Sequence, residues 1–255
     1  MSKIYDALRK AERDRGRLTK RRARRPPASY PRETERERIL LRGMDRNFRR
    51  SLLNLRNSID SEMRQKQSSL IMFTSAVKGE GKTIITASLG RILALGEKER
   101  ILLVDCSIHN PELHTFFGAK NETGILDYLA GEAELPNVIQ TLEEGFLDIV
   151  TAGASRDTNV TVPLFNTERM EIFARETAEQ YDYVLIDTSA VLEAPETSII
   201  GSYMDGVVMV VQAGKTRREV VKRAMMMIEK LEGKFIGTVL NRKKYHIPEF
   251  IYKRV

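Results

Sequence analysis

Six short apolar runs, separated by stretches with helical spacing, constrain the fold of this 255-residue chain more than any other feature. Most runs are almost continuously apolar, which is typical of strands that are covered on both faces. Helical stretches at 83–96, 167–179 and 216–232 separate many of them. This alternation predicts an α/β fold with a doubly wound, mainly parallel sheet. The predicted strands are Leu70–Thr74, Arg100–Asp105, Leu147–Thr151, Tyr183–Asp187, Gly206–Gln212 and Phe235–Leu240.

Positive charge is concentrated at the start of the chain. Residues 1–50 contain 18 basic and 7 acidic side chains, whereas the remaining 205 residues contain 24 basic and 28 acidic ones. A nucleic-acid-binding fold is expected to have a basic folded surface, but here the charge lies in the least foldable stretch, around 20–27. We therefore expect a mildly acidic domain with a basic arm and no specific nucleic-acid binding.

The composition divides the chain into three regions. Residues 1–43 are predicted to form a basic N-terminal helix and a disordered linker. Residues 44–243 are predicted to form the folded domain, and 244–255 a tail that contains tyrosine. The N-terminal helix has a narrow apolar stripe that either docks on a partner or stays solvated. This stripe is Ile4, Leu8 and Ala11, and a second amphipathic helix at the start of the domain carries Phe48, Leu52, Leu55, Ile59 and Met63.

The single cysteine and the lack of a long apolar segment indicate the compartment. Cys106 follows the apolar run 101–104, which favours a buried strand in a reducing environment and excludes an internal disulfide. No run approaches the roughly 18 apolar residues of a membrane-spanning helix. The first residues lack the apolar core of a signal peptide. We expect a cytoplasmic protein that reaches a membrane peripherally or through a partner.

The segment TSAVKGEGKT at 74–83 lies between a predicted strand and a predicted helix. A phosphate chain needs backbone N–H groups at a helix N-terminus, glycines that allow close approach, a lysine for the β- and γ-oxygens, and a hydroxyl for Mg²⁺. The strict P-loop pattern has glycine where Ala76 stands, but the surrounding pattern favours a P-loop. The predicted ATP-binding residues of this loop are Val77, Lys78, Gly79, Glu80, Gly81, Lys82 and Thr83.

Two aspartates, Asp105 and Asp187, stand where predicted strands end. Ligands of an open α/β sheet bind at the carboxyl ends of its strands, so the two carboxylates can share one metal ion and one triphosphate. A lone aspartate at a strand end is more often a helix cap, but two of them beside a P-loop favour a metal site. The predicted metal ligands are Thr83, Asp105 and Asp187, and the predicted catalytic residues are Lys82, Asp105 and Asp187.

Three segments taken together resemble the Walker A, A′ and B motifs of bacterial tyrosine kinases. These are CpsD/CapB-type cytoplasmic autokinases of polysaccharide synthesis and export, which are related to MinD/ParA ATPases. The resemblance implies a P-loop fold, ATP and Mg²⁺ as cofactors, a separate membrane chain-length regulator as activating partner, and a homo-oligomer as a possible assembly. The three segments are 74–83, 103–114 and 182–188, and the resemblance extends over about residues 44–243 with further matches at 124–131 and 205–216.

The chain departs from the pattern of this family at several positions. The A′ motif usually has a second aspartate and then a basic pair, and a serine in place of the aspartate cannot act as a carboxylate base. The Pro-Pro that usually follows the B motif is absent, and only the last position of the ring motif E-x-x-R-x-x-R matches, so a ring is not predicted. These positions are Ser107, His109 and Asn110 in A′, Ser189 and Ala190 after B, and Arg50, Leu53 and Arg56 in the ring motif.

The resemblance implies a role for each site residue. Lys82 would neutralise charge on the γ-phosphoryl group, while Thr83 and Asp187 would hold Mg²⁺ directly or through water. Asp105 would orient or deprotonate the acceptor hydroxyl. Asn241, at the end of the last predicted strand, would contact the adenine.

The sequence therefore predicts a Mg·ATP-dependent protein-tyrosine (auto)kinase that regulates exopolysaccharide synthesis and export. Its phosphate acceptors are expected to be Tyr245 and Tyr252, which fit equally well as packing residues of a tail folded back on the domain. The alternative is a MinD/ParA-like ATPase switch or ATP sensor of a polysaccharide assembly complex, which explains Ser107 and the small number of tail tyrosines. A third hypothesis is a ParA-like positioning protein that uses the basic arm on DNA or a membrane.

Overall fold

A computed structural model describes residues 44, 46–64, 66, 68–95, 98–142, 146–154, 162–230 and 232–243. The predicted N-terminal helix and linker, and the tail with Tyr245 and Tyr252, lie outside these residues. The described part contains a seven-stranded sheet with the strand order β3-β4-β2-β5-β1-β6-β7. All pairs are parallel except β3 with β4, so the predicted doubly wound, mainly parallel α/β fold is confirmed.

The six predicted strands are all present, and most of their ends lie within one residue of the prediction. The strands are β1 Ser69–Ser75, β2 Ile101–Cys106, β3 Ile139–Thr141, β4 Leu147–Val150, β5 Tyr183–Ala190, β6 Gly206–Gln212 and β7 Phe235–Asn241. The helices are α1 Arg46–Glu62, α2 Lys82–Ala94, α3 Leu113–Phe117, α4 Ile125–Leu129, α5 Leu135–Val138, α6 Glu168–Gln180, α7 Pro195–Ser202 and α8 Arg218–Lys230.

Every residue of the three central strands β1, β2 and β5 is buried. Alternate residues of each strand point to opposite faces of the sheet, and an apolar core covers each face. Helices α1 and α2 cover one face, and α4, α6, α7 and α8 contribute to the other. The apolar runs are nearly continuous because both faces of these strands are covered, as predicted.

Helix α1 packs on the domain that follows it, through Leu52 and Ile59, which are each 2% exposed. Polar contacts at the base of the sheet support this packing. Arg56 donates a hydrogen bond to Glu99 and lies 3.4 Å from a carboxylate oxygen of Asp60, while the Tyr183 hydroxyl donates to Asp60. Arg56 is the one residue that matches the ring motif, and here it is used in contacts within the chain.

Two features of the sheet differ from the prediction. Strand β5 continues three residues beyond Asp187, because the Thr188 hydroxyl donates to the Phe73 carbonyl and keeps this polar segment against β1. The short antiparallel edge strand β3 was not predicted, since Ile139–Thr141 is too brief to show a period. None of the described helices is long and apolar enough to cross a membrane.

Candidate active site

The P-loop lies where β1 ends and α2 begins, at the centre of the sheet. Gly79 and Gly81 adopt φ angles of 84° and 92°, a conformation that L side chains rarely adopt. Ala76 has no such requirement, since the non-glycine residues with positive φ in the described part are Glu232 and Arg242. The alanine is tolerated in place of glycine because its backbone is ordinary and its small side chain is fully buried.

The buried side chain of Glu80 stabilises this loop through hydrogen bonds. Its carboxylate is 2% exposed and accepts hydrogen bonds from the Val77 N–H (3.0 Å), from the Gln212 N–H (2.8 Å) and from the Thr216 hydroxyl (2.5 Å). These bonds tie the loop to the end of β6. The sequence assigned Glu80 to ATP binding, whereas the structure gives its side chain a supporting position that no short motif reveals.

We expect Glu80→Gln to weaken the loop, because the amide nitrogen replaces an acceptor and leaves a buried N–H without a partner. The cost is about 1–3 kcal/mol of unfolding free energy. Thermal melting and ATP titration measure both consequences, a lower melting temperature and a weaker affinity. The matched control is Glu193→Gln, since exposed Glu193 accepts only one N–H, that of Lys78, and a glutamine oxygen can replace it. A melting temperature and an affinity equal to the wild type in Glu80→Gln would contradict this stabilising role.

The N–H groups of the loop do not all point at a ligand. Those of Val77 and Lys78 already donate to Glu80 and Glu193. The first N–H groups of α2, from Lys82 onward, have no partner within the helix, as at any helix N-terminus. We therefore expect a phosphate group to bind at 79–83, next to the Thr83 side chain, which is 7% exposed.

Asp105 and Asp187 are direct register partners on the adjacent strands β2 and β5. Both are 0% exposed. The oxygens of Asp105 accept the N–H groups of Ser107 and Leu113, each at 3.0 Å, so this carboxylate shapes the loop that follows β2. Within the described part of the chain no group makes a well-aligned hydrogen bond to either oxygen of Asp187, although the Thr83 hydroxyl lies close enough to lower its pKa.

Burial dominates the electrostatics of the two aspartates. Desolvation raises the pKa of Asp187 to about 7, and the neighbouring Asp105 raises it further, while Lys82 and the Thr83 hydroxyl oppose the shift. Desolvation likewise raises the pKa of Asp105 to about 6, against the N–H donors of Ser107 and Leu113 and the charge of Lys82. Two buried carboxylates beside one lysine leave this site in need of additional positive charge.

The donor set fits a magnesium ion. Mg²⁺ prefers oxygen ligands, keeps several waters, and is usually held by one or two carboxylates together with substrate phosphates. Asp187 offers its carboxylate oxygens beside the Thr83 hydroxyl, and Asp105 lies in the next strand. Within the described ranges no group of three His, Cys, Asp or Glu side chains could hold a metal alone.

Asn241 reaches the P-loop from the last strand. Its amide donates to the Glu80 carbonyl (2.7 Å), and its oxygen accepts the Arg242 N–H (2.8 Å). A Cβ atom at Gly81 would lie only 2.3 Å from the amide nitrogen, so glycine is required there for packing as well as for φ. The structure places Asn241 against the loop, where its amide contacts the Glu80 carbonyl.

Together, the central loop between β1 and α2 and the paired aspartates define a P-loop nucleotide-binding domain. Residues 71–250 match the family model described as the CobQ/CobB/MinD/ParA nucleotide binding domain. Tyrosine-protein kinase YwqD from Bacillus subtilis is 30% identical over 190 residues, which are 74% of this chain and 79% of that protein. The succinoglycan biosynthesis transport protein ExoP from Rhizobium meliloti is 28% identical over 80% of this chain, but the match spans only 26% of ExoP.

A solved structure shows the same fold. The kinase domain of Escherichia coli tyrosine kinase ETK aligns with a TM-score of 0.73 at 23% identity, and the alignment covers 91% of this chain and 89% of that one. With the sequence relatives, this confirms the resemblance seen in the motifs: the chain belongs to the CobQ/CobB/MinD/ParA nucleotide-binding family, among the bacterial tyrosine kinases.

Proposed function

We propose that this protein is a Mg·ATP-dependent protein-tyrosine (auto)kinase that regulates exopolysaccharide synthesis and export. The observation that carries the proposal is the buried Asp187 carboxylate, which lies between the P-loop residues Lys82 and Thr83 and the partner strand's Asp105. The relatives support the reaction, since YwqD is named a tyrosine-protein kinase, and ExoP supports the link to polysaccharide export.

In this proposal each site residue has a distinct role in phosphoryl transfer. Lys82 neutralises charge on the γ-phosphoryl group, and Thr83 and Asp187 hold Mg²⁺, directly or through water. Magnesium, when bound with ATP, would neutralise charge on the phosphate oxygens. Asp105 orients the acceptor hydroxyl or takes its proton. Asn241 contacts the adenine with its remaining amide hydrogen, while its other contacts hold the loop.

The acceptor tyrosines of this proposal are Tyr245 and Tyr252 of the tail. An acceptor must enter the site of a neighbouring molecule, which a buried tyrosine cannot do. Tyr128, Tyr181 and Tyr183 are at most 9% exposed, whereas Tyr203, which was also expected to be buried, is partly exposed and packs against the apolar core.

A second candidate function is an ATPase switch or ATP sensor of a polysaccharide assembly complex that does not phosphorylate tyrosine. The position of the usual second A′ aspartate is occupied by Ser107, whose hydroxyl has only long contacts, 3.4 Å to the Asn110 carbonyl and 3.5 Å to the Ser189 hydroxyl. Asp105 already accepts two backbone N–H groups. Labelled ATP with Mg²⁺ separates the two functions, since a kinase transfers label to tyrosine and a switch only releases phosphate.

We propose a separate membrane chain-length regulator as the activating partner, with the protein at the inner face of the plasma membrane. We also propose a homo-oligomer, because the family resemblance implies one. The ring of this family is the less favoured form, because the Arg56 side chain already donates to Glu99 of the same chain. Addition of the regulator's cytoplasmic segment should raise phosphotyrosine formation. Absence of any stimulation or binding in that assay would remove the partner.

The basic arm is proposed to add salt-sensitive attraction to an anionic membrane surface. Residues 1–50 carry 18 basic against 7 acidic side chains, and each basic residue near such a surface contributes on the order of 1 kcal/mol of binding free energy. Removal of 1–43 should therefore abolish most binding to vesicles of anionic lipid, and high salt should weaken the wild type. Equal sedimentation of both proteins with the vesicles would rule out the lipid surface.

A further inference from the structure

A second buried carboxylate lies outside the phosphate site, and it meets a histidine of the A′ segment, defined here as residues 107–112. Glu196 is the second residue of α7 and its side chain is 0% exposed. Nε2 of His109 lies 2.9 Å from Oε1 of Glu196, and the imidazole is 39% exposed. No group within the described residues makes an aligned hydrogen bond to either Glu196 oxygen, and the His109 imidazole is its close polar neighbour.

Stability does not explain why Glu196 is buried. A carboxylate out of water is costly, and replacing a buried ion pair with an apolar residue of similar volume is often neutral or stabilising. The N-terminus of α7 compensates only part of the cost. The carboxylate therefore has a different use, which its contact with His109 indicates.

The A′ segment has few other close contacts across to the end of β5. Its backbone is held at its two ends, where the Ser107 and Leu113 N–H groups donate to Asp105. Between these ends the Ser107 hydroxyl reaches Ser189 only at 3.5 Å. The 2.9 Å contact of His109 with Glu196 is thus the short side-chain link between the middle of the segment and the far side of the site.

The far side of this link is itself joined to the P-loop. The segment from β5 to α7 donates from the Val191 N–H to the Ser75 carbonyl (2.9 Å) and accepts the Lys78 N–H at Glu193 (2.8 Å). Through Glu196, the A′ segment and the phosphate loop are held against one common piece of the chain.

We infer that His109 and Glu196 form a positioning pair for the acceptor side of phosphoryl transfer. This inference rests on the proposed kinase function. The pair holds the A′ segment so that Asp105 faces the acceptor hydroxyl, while the P-loop binds ATP without it. Loss of the pair should therefore lower kcat for phosphotyrosine formation and leave the KM for ATP unchanged.

The variant Glu196→Met tests the pair, because methionine fills a similar volume and leaves no unpaired buried charge. We expect a melting temperature equal to or above that of the wild type. If Asp105 no longer faces the acceptor hydroxyl, kcat for phosphotyrosine formation should fall by about 10- to 100-fold. His109→Ala should give a similar loss, and His109→Arg should recover most of it by restoring an N–H donor to the carboxylate. The double variant His109→Ala, Glu196→Met should be no worse than either single one. The matched control His114→Gln changes a histidine outside the pair.

A measurement that does not depend on kinase activity separates this inference from the proposed function. Hydrogen exchange of the amides at 107–112 should accelerate in Glu196→Met and stay at the wild-type rate in His114→Gln. Wild-type protein that never forms phosphotyrosine would overturn the proposed function, while the exchange result would still decide whether the pair holds the segment. Unchanged exchange in Glu196→Met, an unchanged kcat in an active protein, or a kcat loss that His109→Arg does not recover would overturn the positioning pair.

Discussion

Asp187→Asn is expected to stabilise the protein in the absence of nucleotide and to abolish most of its phosphoryl transfer. Both effects have the same cause, a carboxylate that is 0% exposed and accepts no well-aligned hydrogen bond within the described residues. Asparagine has nearly the same shape and carries no charge to desolvate. It is also a much poorer Mg²⁺ ligand, so transfer should fall by orders of magnitude.

The stabilisation should depend on pH. Burial raises the folded-state pKa of Asp187 to about 7, above its ordinary value of 3.8. The folded protein therefore holds this proton more tightly than the unfolded chain, and the resulting stability is fully present below pH 4 and lost as the pH rises through about 7. Wild type and variant should melt alike in acid, and at pH 8 the variant should be more stable by on the order of 2–3 kcal/mol, or several degrees in melting temperature.

Asp105→Asn is the matched comparison for this experiment. The two oxygens of Asp105 accept two backbone N–H groups, and an asparagine side chain can accept only one of them. The lost acceptor costs about 1–3 kcal/mol, which opposes the gain from removing the charge. Scanning calorimetry without ATP and Mg²⁺ should therefore rank Asp187→Asn above Asp105→Asn at pH 8. A lower melting temperature for Asp187→Asn than for the wild type would mean that Asp187 supports the fold and that its assignment to the metal is wrong.

Lys82→Met is expected to remove ATP turnover and to weaken ATP·Mg binding strongly. The lysine is the cation of the loop, and no backbone N–H can replace its charge on the β- and γ-oxygens. Its charge also lowers the pKa values of Asp187 and Asp105, so the variant should lose stability at pH 8 relative to pH 5. Turnover should fall by about 10²- to 10³-fold or more.

The control for this variant is Lys78→Met, in the same loop. Lys78 is exposed, and the structure uses its backbone N–H rather than its side chain. Isothermal titration with ATP·Mg should show far tighter binding to Lys78→Met than to Lys82→Met. Wild-type affinity and turnover in Lys82→Met would remove the P-loop assignment.

The central strands were predictable from sequence because helices cover both of their faces. Such strands are almost uniformly apolar, and Leu70–Thr74 and Tyr183–Asp187 therefore stand out from their surroundings. The same reasoning placed Asp105 and Asp187 at one end of the sheet, since parallel strands point the same way. It could not find β3, a three-residue edge strand formed by pairing with β4.

The supporting residues of the site were not predictable, because their roles depend on contacts far apart in sequence. Glu80 reads as part of a phosphate loop, yet its side chain bonds to Gln212 and Thr216, more than 130 positions away. The contact of His109 with Glu196 spans 87 residues, the difference of the two numbers, and neither residue belongs to a recognisable pair in the sequence. Motifs identify groups that touch phosphate, whereas the tertiary fold decides which groups hold them in place.

Phosphotyrosine formation in a double Tyr245→Phe, Tyr252→Phe variant, beside the wild type with ATP and Mg²⁺, tests the central claim most directly. The account predicts that the wild type gains phosphotyrosine and that the variant loses it while its ATP affinity is unchanged, since neither tyrosine is among the residues assigned to the nucleotide. Wild-type protein that hydrolyses ATP but never gains phosphotyrosine, even with its membrane partner present, would contradict the kinase and leave the ATPase switch.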